Sequence, residues 1–108
     1  MTTATTTTEV LTTITLRHVF DTITLTLTAT HGEALYDFTA DADAEGGFRV
    51  DVREGTVYRV EAVSIYNTAR GGVVGDTREH SFRDLAEARA YANGWFGKLT
   101  RKGWERIA

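Results

Sequence analysis

The chain has no cysteine and no proline. Without cysteine there can be no disulfide, no thiolate zinc site and no cysteine nucleophile, so any fold must rest on its core alone. Without proline, every turn is expected to rely on Gly, Asp and Asn. No apolar run approaches the roughly 20 residues that a membrane-spanning helix needs. Met1 to Thr8 is threonine and alanine, with neither the basic region nor the apolar stretch of a secretory signal. The expectation is a cytoplasmic protein with no membrane partner. The usual patterns of chemistry are missing too: no G-x-S-x-G, no H-E-x-x-H and no P-loop occur. His18, His31 and His80 stand in no ligand spacing. Gly71, Gly72 and Gly75 are too sparse for a phosphate cradle and read as a flexible turn. On these grounds neither catalysis, nor a metal, nor a cofactor is expected.

What is present is a domain-sized chain of 108 residues with 42% hydrophobic and 25% charged residues, ordinary values for a globular protein. The net charge of −3 is unevenly spread. Residues 1–82 carry six Arg against twelve Asp and Glu, and residues 83–108 carry six Lys and Arg against three Asp and Glu. The basic end suits the C-terminus of a helix, where cations complement the dipole.

After a low-complexity tail over 1–8, period-two alternation sets in, and residues 9–108 read as one domain. A threonine-rich strand runs from Val10 to Phe20, and Asp21-Thr22 is expected to turn. Ile23, Leu25, Leu27 and Ala29 then alternate with Thr22, Thr24, Thr26, Thr28 and Thr30, the pattern of a half-buried strand. His31-Gly32-Glu33 is expected to interrupt it before a further strand, Leu35 to Ala40. Asp41 to Gly47 is a loop. Phe48, Val50 and Val52 alternate with charge up to Glu54-Gly55, which is read as a hairpin turn into Val57 to Tyr66. Asn67 to Gly72 is a second loop, followed by an irregular strand within Val73 to Phe82.

Leu85, Ala88, Ala92, Trp95, Phe96 and Leu99 recur at spacings of three and four, which predicts an amphipathic helix from Asp84 to about Thr100. Asp84 is placed to cap it, with Glu87 at capping-box spacing. Gly94 and Gly97 each cost about 1 kcal/mol inside a helix, and the expected benefit is close approach to the sheet. Gly103 ends the helix, and Trp104 and Ile107 fold back onto the core edge. The fold class is therefore α+β: an antiparallel sheet of five or six strands packed by one C-terminal helix. One helix cannot cover so large a sheet. Either the sheet curls into a partial barrel or part of it faces a second copy or a partner.

Three features compete as functional surfaces. Asp41-Ala42-Asp43-Ala44-Glu45-Gly46 resembles the opening of an EF-hand loop, but its twelfth position is Val52 where a bidentate Glu belongs, so it reads as a solvated acidic loop. With Asp37 nearby, Asp41, Asp43 and Glu45 could engage a basic protein surface. The ladder of alternating threonines from Thr22 to Thr28 resembles the arrays of ice-binding proteins on one strand only, and fits a solvent-facing strand. Lys98, Arg101, Lys102 and Arg106 lie near Trp95 and Trp104, a mixture that suits nucleic acid.

Two resemblances bear on these surfaces. Ser81 to Trp104, SFRDLAEARAYANGWFGKLTRKGW, resembles the closing helix of WGR domains, with Gly103-Trp104 as the Gly-aromatic pair. The Trp-Gly-Arg signature is absent, so the DNA-linked role of that family does not carry over. Tyr58 to Trp104 resembles small proteins of phages and mobile elements from high-GC bacteria, among them anti-defence proteins such as anti-CRISPRs. That resemblance implies a non-enzymatic, protein-binding inhibitor of a host protein or ribonucleoprotein complex. On that hypothesis the charge of the acidic loop assigns electrostatic recognition to Asp37, Asp41, Asp43 and Glu45. The alternatives are a nucleic-acid-binding accessory domain using the basic end and a virion structural or assembly protein, and a homodimer is compatible with each of these readings.

Overall fold

The computed structural model describes residues 6–68 and 71–108. Part of the tail expected over 1–8 lies outside them, and so does part of the loop expected over Asn67 to Gly72. The elements are β1 (Thr7–His18), β2 (Asp21–Ala40), β3 (Phe48–Thr68), β4 (Gly71–Phe82), α1 (Leu85–Arg101) and β5 (Glu105–Arg106). Among the described residues the strands form one open antiparallel sheet in the order β4-β3-β2-β1-β5, with α1 as its helix. The α+β expectation holds, with five strands.

Strand lengths depart from expectation. Asp21-Thr22 does not turn: β2 starts at Asp21, and Val19-Phe20 makes a two-residue link between His18 and Asp21. Such links need positive φ, and with no glycine there Val19 adopts a φ of 56°. His31-Gly32-Glu33 does not interrupt a strand either. It is a bulge inside a continuous β2, with Gly32 as the extra residue at a φ of 82°. Nor does Glu54-Gly55 turn. β3 runs straight through, because β2 pairs with it along its whole length from Thr22↔Ile65 to Ala40↔Phe48. Gly55 is needed for another reason: the Leu35 side chain occupies the space a Cβ would take.

The core lies between α1 and the middle of the sheet. Leu16, Ile23, Leu25, Ala62 and Leu99 form one cluster, against which Ile14, Trp95, Phe96 and Trp104 pack. Leu27, Val60 and Ala88 form a second, flanked by Leu11, Tyr58, Phe82, Leu85, Tyr91 and Ala92. The helix starts where expected. Asp84 caps it, its Oδ1 accepting from the Ala86 N–H at 3.0 Å. The expected stripe does face the sheet, with Tyr91 added. The glycines inside α1 do not serve close approach. A Cβ at Gly94 would meet nothing within 4 Å, and one at Gly97 would meet only the Arg101 side chain. After α1, Gly103 takes a φ of 95°. Trp104 turns back onto the core, and the Ile107 N–H donates to the Thr15 carbonyl at 2.9 Å, while the Ile107 side chain stays half exposed.

Candidate interaction surfaces

β2 and β3 are almost twice as long as their neighbours. β1 pairs with β2 only as far as His31, and β4 pairs with β3 only from Tyr58 onward. Residues 33–40 and 48–55 therefore leave the sheet as a two-stranded arm, joined by the loop 41–47. The molecule is accordingly 61 Å long and 32 Å by 26 Å across.

The arm has two unlike faces. Side chains alternate across a strand, and β3 has no extra residue between Ala62 and Phe48. The side that meets the helix through Ala62 and Val60 thus continues along the arm as Val52, Val50 and Phe48. On β2 the odd residues Ile23 to Ala29 face the helix. The extra residue at Gly32 reverses the alternation, so that Tyr36, Phe38 and Ala40 lie opposite Val52, Val50 and Phe48 on that same side. Beyond the reach of α1 no described residue covers them: Phe38 is 70% exposed, Phe48 and Val52 60%, Tyr36 53% and Val50 47%. A polar row marks the border. His31 bonds Thr56 Oγ1 through Nδ1 at 2.9 Å and Glu9 Oε1 through Nε2 at 3.2 Å.

The other face of the arm is charged and tied down. Asp37 accepts from Arg53 Nε at 3.0 Å and from Arg83 Nη1 at 2.6 Å, and Arg83 Nη2 also donates to the Tyr36 carbonyl at 2.9 Å. These two guanidinium bonds, Arg53 first, hold the Asp37 carboxyl below its usual pKa. One step closer to the body, Arg59 donates to Glu33 Oε1 at 2.7 Å and to Thr30 Oγ1 at 3.2 Å, and lies 3.7 Å from Glu79. The hydrogen bond to Glu33 raises the Arg59 pKa. Arg83 follows β4, so its bonds to Asp37 and Tyr36 tie the arm to the segment that leads into α1.

The predicted acidic residues are thus divided. Asp41, Asp43 and Glu45 sit together at the arm's tip, whereas Asp37 is on its shaft and engaged by two arginines. The tip is shaped by its own backbone. The Asp41 N–H donates to the Gly47 carbonyl at 2.9 Å, the Asp43 N–H to Asp41 Oδ1 at 3.0 Å, and Gly46 and Gly47 supply the positive φ angles. Among the described residues no group of three His, Asp or Glu side chains could hold a metal ion.

The basic residues lie at the far end. Lys98 and Lys102 border a shallow groove with Arg78, Asp76, Trp95 and Leu99. Arg101 projects past Gly97, and Arg106, on β5, donates to the Ala108 carbonyl at 3.1 Å. The structure thus adds Arg78 from β4 to the expected set, a residue no local spacing could link to the helix.

The threonine array is wider than one strand. On the face away from α1, Thr13 and Thr15 of β1 stand opposite Thr26 and Thr24, and Thr8 opposite Thr30. Thr15 and Thr24 share a hydroxyl hydrogen bond of 3.3 Å, and Thr8 and Thr30 one of 3.1 Å. No helix of the described residues is long and apolar enough to cross a membrane. No protein-family model, curated protein or solved structure matches this chain.

Proposed function

We propose that this chain is a non-enzymatic protein-binding inhibitor whose arm enters a basic groove on a host protein or ribonucleoprotein complex, as an anti-defence protein of a phage or mobile element would. One observation carries the reading. A paired hairpin leaves the sheet, is braced at its base by Arg59 and along its shaft by Arg53 and Arg83, and ends in a loop bearing Asp41, Asp43 and Glu45. A braced arm loses little conformational freedom on binding, which leaves more of the interaction energy for affinity. Three carboxylates at its tip speed encounter with a basic surface and select against an acidic one. Blocking a groove requires no reacting group.

The test reverses the tip. Immobilised wild-type chain is used to capture a partner from lysate of the host, and the capture is repeated with Asp41→Lys, Asp43→Lys and Glu45→Lys combined. We expect binding of that partner to weaken by about tenfold or more and to be salt-sensitive in the wild type. Unchanged capture by the triple variant would overturn the proposal.

A second reading rests on the groove that joins Arg78, Lys98 and Lys102 beside Trp95. Those groups suit a nucleic-acid backbone, and such binding falls steeply with salt. A gel shift with no complex at low salt removes it.

A further inference from the structure

We infer that the apolar face of the arm is the seat of a second copy of this chain, so that the protein works as a two-fold dimer with its arms laid face to face. Tyr36, Phe38, Phe48, Val50 and Val52 form one continuous strip with no charged residue between Glu54 and the tip loop. A two-stranded ribbon is at best marginally stable in water by itself, and this one presents its apolar side uncovered. The five exposed side chains offer roughly 100 Å² each, so two such strips bury on the order of 1,000 Å² together, the size at which specific interfaces begin.

The strip is complementary to itself, which favours a second copy over an unrelated partner. Its three rows are Tyr36 with Val52, Phe38 with Val50, and Ala40 with Phe48. The helix stands on the same side of the sheet as the strip, so two arms avoid their partners' helices by running antiparallel. A two-fold axis across the middle row then sets Tyr36 over the partner's Ala40 and Phe48 over the partner's Val52. Large side chains meet small ones, with Phe38 on its own copy at the centre. Each tip loop stays outside the strip. The inference therefore goes beyond the inhibitor reading and does not depend on it.

The chain's lack of cysteine makes the test direct. Sedimentation of the wild type across a concentration series should give twice 11.9 kDa at micromolar concentrations. Phe38→Lys should sediment as a monomer with an unchanged circular dichroism spectrum, since position 38 is exposed in the single chain. Val50→Cys introduces a lone thiol beside the axis. A short bis-maleimide, which adds one thiol at each end, should join two Val50→Cys chains across sheets stacked about 10 Å apart. The same reagent should leave Thr39→Cys, on the charged face, unjoined. A wild type that stays monomeric at 100-fold higher concentration than these assays use, or a dimer unaffected by Phe38→Lys, would overturn the inference. A monomer that loses a captured partner through Phe38→Lys would assign the strip to that partner, and would overturn it equally.

Discussion

The two halves of the β2–β3 hairpin are built from the same pattern and end in opposite environments. In the body, Leu25 and Leu27 alternate with threonine and are 3% and 4% exposed. In the arm, Phe38 and Val50 alternate with charge and stand in solvent. Neither strand propensity nor periodicity separates the halves. What separates them is the neighbour: α1 covers the body and stops short of the arm. Burial energy belongs to a pair of surfaces, and at about 25 cal/mol per Å² the arm's apolar face contributes little until something lies against it.

Cavity formation tests that difference most forcefully. Leu25→Ala empties part of a closed cluster and should cost about 3 kcal/mol in urea unfolding. Phe38→Ala, on the same strand, should change stability by less than about 0.5 kcal/mol at a concentration low enough to keep chains apart. Equal losses at the two sites would mean that the arm's strip is covered within one chain, and the comparison would fail.

The brace between the halves comes next. Arg59 spans Thr30, Glu33 and Glu79, and among the described residues it is the side-chain partner of the Glu33 carboxylate, whose Oε2 is buried with no hydrogen bond. Arg59→Met keeps an unbranched apolar stem, removes the guanidinium and leaves that carboxylate unpaired, at a cost of about 1–3 kcal/mol. A further change of Glu33→Gln should recover part of the loss, because the neutral amide needs no counter-charge. No recovery would place the role of Arg59 in packing rather than in its charge.

How far the sequence disclosed this arrangement differs between the same two regions. The helix was legible to within a residue at each end, because its cap, its stripe and its terminating glycine are local signals. The acidic loop was legible as well. The arm was not. Gly32 and Gly55 carry the marks of turns, yet one is a bulge and the other makes room for Leu35. Whether a glycine bends a strand or admits a neighbour depends on a residue some twenty positions away, and no local window contains that information. The bracing cluster was missed for the same reason. Arg83 and Asp37 are 46 residues apart in sequence, so Asp37 read as part of the loop beside it rather than as the arm's anchor. The threonine array likewise needed the register of β1 against β2 to be seen as two strands wide.

The smallest expected effect falls on the arm alone. Asp37 is held ionised by Arg53 and Arg83, and its folded-state carboxyl titrates below the ordinary value of about 3.9. The stabilisation it gives is therefore fully present above that ordinary value and is lost as pH falls through the lowered one. Its charge is exposed and screened by salt, so the body should not respond. Amide exchange followed by NMR, corrected for the intrinsic pH dependence of exchange, resolves the two regions. Between pH 4.5 and pH 2, protection of residues 34–39 and 49–54 should fall relative to that of Ile23 to Leu27. In Asp37→Asn the arm should already be less protected at pH 4.5 and should show a flatter further decline. Arm and body losing protection together in the wild type would mean that they open as one unit, and that the base of the arm is no boundary.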